Sequence, residues 1–222
     1  MNAAYLAFLF AAFWVAVGLY RGRHPWQFLA SLVAGAGFAH LGWLALHAHT
    51  LADPQSALLD LTTGFSVLLF PLGPLLISRW DPDAWMSLPL ALAVARLGCL
   101  ASGCCGGLDA AWGTHPTPLY EVLCFVSLFP LVRRAPREYA GAVFLAAFGV
   151  IRLVIEPFRM SSATLVSPAL LASAWVLVAI VRSRAVCRRF GPRMGSLAIL
   201  GSSGCGVSMV APSDESPESL LT

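Results

Sequence analysis

Seven apolar runs, each near the length of a bilayer crossing, constrain this chain more than any other feature. A helix that spans the hydrocarbon core takes about 20 apolar residues. The runs fall at Asn2–Tyr20, Trp26–His47, Ala57–Ile77, Ala84–Ser102, Pro118–Val132, Tyr139–Ile155 and Thr164–Val181. In 222 residues they leave space only for short loops and a tail, which excludes a large extramembrane domain. Charged residues make up only 11% of the chain, too few to cover its surface in water. A cytosolic enzyme, a disordered chain and a disulfide-knit secreted module are therefore excluded. The fold expected is all-α: a polytopic membrane protein with about seven transmembrane helices over residues 1–182. Residues 183–222, basic and then rich in Ser, Gly and Pro, read as a disordered cytoplasmic tail.

The first run lacks a positively charged start, so it reads as a retained anchor and not a cleaved signal peptide. Pro71 and Pro74 should bend or break the third run, because each removes a backbone donor. Orientation follows from the Arg residues. Arg21 and Arg23, then Arg133, Arg134 and Arg137, then Arg182 through Arg193 flank alternate loops, whereas His47–Ser56 and Gly103–Pro116 hold no Arg. With seven crossings this places the N-terminus outside and the C-terminus in the cytoplasm.

All 14 basic residues other than His are Arg. Without Lys, a Schiff-base retinal pump is excluded. The net charge of +3 is spread over loops and tail, which gives no footprint for nucleic acid. The six Cys contain no C-x-x-C pair, so no metal site or cofactor is expected.

An ionised side chain within the bilayer costs about 2.5–3.5 kcal/mol on insertion scales, so each one asks for a reason. Arg96, Glu121, Arg152 and Glu156, with Arg159 beyond, fall late in the fourth run, early in the fifth and late in the sixth. Arg96, Glu121, Arg152 and Glu156 should lie at one depth, in the outer half of the bilayer. Arg presents a planar donor fork suited to phosphate and stays charged when desolvated, and the anion to be met at that depth is a phospholipid phosphate. Arg152, Glu156 and Arg159 share a helix face unless Pro157 ends the helix and turns Arg159 into the loop. The alternative is that these charges only pair with one another across helices.

The segment GCLASGCCGGLDAAWGTHPTPLYE, from Gly98 to Glu121, is the second dense region. Gly98, Gly103, Gly106 and Gly107 permit tight turns and close backbone approach. His115 is its only His and a candidate acid–base group; the alternative is a structural hydrogen bond. Cys99, Cys104 and Cys105 read as reactive thiols, as metal ligands or as small buried apolar residues. Tyr120 reads as an interface anchor or core residue, and His40 as a packed polar one.

Three segments resemble the prolipoprotein diacylglyceryl transferase family. Arg96-Leu97-Gly98-Cys99, with Gly107, is similar to its G-R-x-G-N-F-x-N-x-E-x-x-G signature; His115 to Glu121 is similar to H-P-S-Q-L-Y-E; and Phe148 to Arg159 is similar to Y-G-x-x-R-F-x-x-E-x-x-R. Cys99 and Ser102 stand where the signature has Asn, and Cys104 where it has Glu. Gly64–Pro74 has no counterpart of the family's His. The resemblance implies a multi-pass enzyme of the bacterial inner membrane, its site facing the outer leaflet and periplasm. It would transfer diacylglyceryl from phosphatidylglycerol to the thiol of a prolipoprotein lipobox cysteine. Arg96 and Arg152 would contact the headgroup, with Glu156 and Arg159 supporting. Tyr120, Ser102, Gly98, Gly107, Cys99 and Cys104 would complete the substrate site. With the family His replaced, His115 or Glu121 would take the role of general base, or the Cys cluster would support a related thiol reaction. Two further readings stay open: a catalytically altered paralogue that binds phospholipid, and a membrane thiol oxidoreductase using Cys99 and Cys104.

Overall fold

Asp81-Pro82 is a helix start written in the sequence. Asp81 caps the helix by accepting from the Asp83 N–H at 3.1 Å, and Pro82 occupies the first turn, where no donor is needed. The helix ends where Gly103 adopts φ +65°, a left-handed conformation that glycine takes without strain. The same logic sets Thr117–Arg134, which opens on Pro118 and closes with two Arg before Ala135-Pro136.

The computed structural model describes residues 3–47, 66–103, 106–111, 113–159 and 166–190. Its helices are α1 (Ala3–Leu19), α2 (Pro25–His47), α3 (Pro82–Ser102), α4 (Thr117–Arg134), α5 (Ala140–Arg159) and α6 (Val166–Phe190). A 3-10 turn at Val67–Leu69 and a π-helical turn at Pro74–Ser78 precede α3. Pro71 and Pro74 thus break the third run as expected, and its first part lies outside the described residues. A two-residue hairpin, β1 (Asp109–Ala110) with β2 (Gly113–Thr114), joins α3 to α4.

α1 lies antiparallel on α3: Phe8 meets Gly98 near one end, and the Tyr20 hydroxyl donates to Asp81 at the other. α4 and α5 pack on α3 around Trp85, Phe125, Phe144 and Phe148, all fully buried. Phe144 and Phe148 stack at 5.8 Å, and Phe148 reaches Phe125 at 6.1 Å. α6 returns along α5, so close at Gly149 that a β-carbon there would stand 2.6 Å from the Ala172 carbonyl oxygen. The Trp175 indole N–H donates to the Leu68 carbonyl at 2.8 Å, tying α6 to the 3-10 turn.

The count of seven crossings is corrected. Among the described residues three helices are long and apolar enough to span a bilayer: Pro25–Ala45, Pro82–Ser102 and Arg137–Arg159. α1 has 17 residues and falls short, and α4 spends three of its 18 on Glu121, Arg133 and Arg134. The described part of the third run, residues 66–77, forms only short turns, and the first side chains of α6 lie outside those described. The protein is a helical multi-pass membrane protein, and the N-out, C-in orientation no longer follows from an odd count of seven crossings. α6 also continues to Phe190, eight residues into the segment expected to be tail; residues 191–222 lie outside the described residues.

At the end of α1 the Tyr20 hydroxyl donates to Asp81 Oδ2 at 2.7 Å and accepts from the His24 N–H at 3.3 Å. Burial, then the hydrogen bond to Asp81, pushes the phenol up from 10.0 to about 12. A raised phenol pKa means that the neutral form is favoured on folding. Its contribution is full below about pH 10 and is lost as pH rises through about 12. Tyr20→Phe should cost about 1–2 kcal/mol at neutral pH, with the gap to the parent closing across that alkaline window. Thermal unfolding of both proteins in one detergent, from pH 8 to 12, measures this.

Candidate functional site

Antiparallel packing brings the C-terminal end of α3, the N-terminal end of α4 and the C-terminal end of α5 together. Each contributes charge there. Arg96 is 6% exposed, Glu121 1%, Arg152 2% and Glu156 4%. Arg152 forks between two carboxylates, donating from Nη1 to Glu121 and from Nη2 to Glu156, one helical turn along α5. Arg96 Nε pairs with the other oxygen of Glu121. Arg159 Nη1 stands 3.6 Å from Glu121, with its side chain 22% exposed. α5 continues through Pro157, so Arg159 stays on the helix face instead of turning into the loop. Proline so near a helix end removes only one late hydrogen bond, which limits the damage.

The two carboxylates face three guanidinium groups, leaving the cluster one positive charge in excess. Removing such groups from water costs several kcal/mol per ion unless each is closely paired. Glu121 meets that need for three Arg at once. One donor is left over: among the described residues the buried Arg152 Nε–H has no hydrogen-bond partner. An excess positive charge and a spare guanidinium donor suit an anion.

The hairpin lies over this end of the bundle. Gly107 N–H donates to the His115 carbonyl at 2.8 Å, His115 N–H to the Leu108 carbonyl at 3.0 Å, and Leu108 N–H to the Phe158 carbonyl at 2.8 Å. The last bond fastens the hairpin to the end of α5. The His115 ring lies 5.2 Å from that of Phe158, and its Nδ1 is 3.2 Å from the Tyr120 hydroxyl. Beneath the hairpin is a cleft of about 120 Å³ whose lining includes Cys99, Gly103, Gly106, Thr114 and His115.

The residues singled out in the sequence therefore divide. Arg96, Glu121, Arg152, Glu156 and Arg159 form one contact group. His115, Tyr120, Gly107 and Cys99 border it, and the Cys99 sulfur is 3.5 Å from Arg96 Nη1. Gly98 serves helix packing, because a β-carbon there would stand 2.7 Å from that of Phe8. Ser102 donates to the Gly98 carbonyl at 2.8 Å within its own helix. Cys104, like Cys105, lies outside the described residues. Sequence reading missed the hairpin and its tie to Phe158. The signal was Asp109 followed by Gly113, which here adopts φ +114°.

The family model of prolipoprotein diacylglyceryl transferase matches residues 82–186, just under half the chain. No curated protein and no solved structure matches it. The matched segment holds the whole charge cluster and the hairpin, so it is in its site region that this chain is similar to the prolipoprotein diacylglyceryl transferases.

Proposed function

We propose that this protein is a phosphatidylglycerol–prolipoprotein diacylglyceryl transferase-like enzyme of the bacterial inner membrane. The observation that carries the reading is the buried cluster of three Arg against two Glu, within the segment similar to that family. Arg133, Arg134, Arg137, Arg182 and Arg184 lie at the opposite end of the bundle. The positive-inside tendency puts that end in the cytoplasm and the cluster toward the outer leaflet, on the periplasmic side.

In diacylglyceryl transfer the acceptor sulfur forms a bond to the terminal glyceryl carbon. The bond from that carbon to the phosphate oxygen breaks, and glycerol phosphate leaves with the electron pair. Arg152 and Arg96 hold the phosphate as it gains charge; such preorganised donors commonly supply a large share of a rate enhancement. The thiol proton needs a base. Glu121 is a poor choice, because three guanidinium groups occupy its carboxylate. His115 borders the open cleft, with Tyr120 and Phe158 setting the plane of its ring. Glu121 and Glu156 then position the guanidinium groups.

His115→Gln should lower transfer by about 10²- to 10⁴-fold while leaving phosphatidylglycerol binding unchanged. Expression in cells depleted of their own transferase, with lipobox-cysteine modification as the readout, provides the test. If the parent restores no modification, the reading fails. If it restores modification and His115→Gln does so equally, only the choice of base fails. The phospholipid-binding paralogue predicts lipid copurification without thioether product.

A further inference from the structure

The end of the bundle remote from the cluster holds a larger cleft, of about 410 Å³, lined by Gly22, Arg23, His24, Asp81, Asp83 and Arg137. Asp83 and Arg96 lie thirteen positions apart on α3, about 20 Å along the axis, so the two regions are distinct. We infer that this cleft binds the phosphate headgroup of an anionic phospholipid from the leaflet at that end. The site is separate from the proposed transfer site and does not depend on it.

The acids in the cleft are already committed. Asp81 accepts from the Tyr20 hydroxyl at 2.7 Å and from the Asp83 N–H at 3.1 Å. Asp83 accepts from Arg137 Nη2 at 2.5 Å. These bonds shape the cleft, and Arg137 offsets the charge of Asp83, leaving Arg23 and His24, both exposed, as further donors on its lining. The His24 N–H to Tyr20 bond holds their turn in place. A guanidinium beside an imidazole suits a phosphodiester.

Position selects a lipid over a free anion. Trp26, 80% exposed at the start of α2, is the residue type that sits at headgroup level. Phe10 and Trp14 of α1 and Val33 of α2, the helices that the Arg23–His24 turn joins, are exposed apolar side chains of the kind acyl chains cover. Arg21, Arg133, Arg134, Arg182 and Arg184 crowd the same end, and such basic clusters draw anionic headgroups. The bound lipid would pin the α1–α2 turn to the start of α3.

Native mass spectrometry of the full chain in micelles, with added phosphatidylglycerol, phosphatidylcholine or inorganic phosphate, tests this. The Arg23→Gln/His24→Gln variant should retain one phosphatidylglycerol fewer than the parent. Phosphatidylcholine should not fill the vacated place, and millimolar phosphate should not displace the lipid. The same number of lipids on both proteins, equal retention of phosphatidylcholine, or displacement by phosphate would each overturn the inference. Both side chains are exposed, so the variant should melt like the parent in lipid-free micelles. Because the readout is a difference between two proteins, it stands whether or not the remote cluster also binds lipid.

Discussion

Arg152→Met should be the most damaging single substitution in this protein. Met fills much of the same volume, but it leaves the Glu121 and Glu156 carboxylates buried without their shared partner. Removing one member of a buried ion pair typically costs about 3–5 kcal/mol, a large part of the roughly 5–15 kcal/mol that holds a domain folded. The melting temperature in detergent should fall by roughly 10 °C. Lipoprotein modification in transferase-depleted cells should be lost as well. Arg152→Lys separates the two effects: a point charge can satisfy one carboxylate but cannot fork between two, so it should recover part of the stability and little of the activity. Adding Glu156→Gln to Arg152→Met should restore stability, because one orphaned charge disappears, without restoring transfer. A variant that melts and transfers like the parent would remove both roles.

The cluster was legible because the bilayer makes charge expensive. In a chain with 11% charged residues, Arg96, Glu121, Arg152, Glu156 and Arg159 stand out without any structure. Their positions near the ends of three successive apolar runs imply a common depth. What the runs could not give was the helix inventory. Apolar composition alone does not separate a spanning helix from a short or broken one, and Pro71 and Pro74 turn part of the third run into 3-10 and π-helical turns. Nor could the sequence apportion roles among neighbours. Glu121 reads equally well as base or as counter-ion until three guanidinium groups are seen around it. Ser102 fits a signature position, yet its hydroxyl is taken by its own helix. The hairpin was hidden for a different reason: its bonds are between backbone groups, and the tie from Leu108 to Phe158 joins residues 50 apart.

That tie makes Gly107 the second sensitive position, and for a different reason. A β-carbon at Gly107 would stand 2.4 Å from the Phe158 carbonyl oxygen, 2.7 Å from Thr117 Cγ2 and 2.8 Å from the His115 β-carbon. The first of these is backbone at the end of a packed helix, and Thr117 is fully buried, so neither yields easily. Gly107→Ala should instead lift the hairpin, breaking the Leu108 to Phe158 bond and moving His115 away from the cleft. Misplacing a catalytic group by about 1 Å can cost about 10²-fold in rate. Transfer should therefore fall about a hundredfold, while the melting temperature falls less than in Arg152→Met, because the ion cluster and the aromatic core are untouched. Phosphatidylglycerol binding should persist, since Arg96 and Arg152 do not depend on the hairpin for their pairing. If Gly107→Ala lost lipid binding and transfer in the same proportion, the hairpin would belong to the phosphate site, and His115 would lose its claim to a separate role.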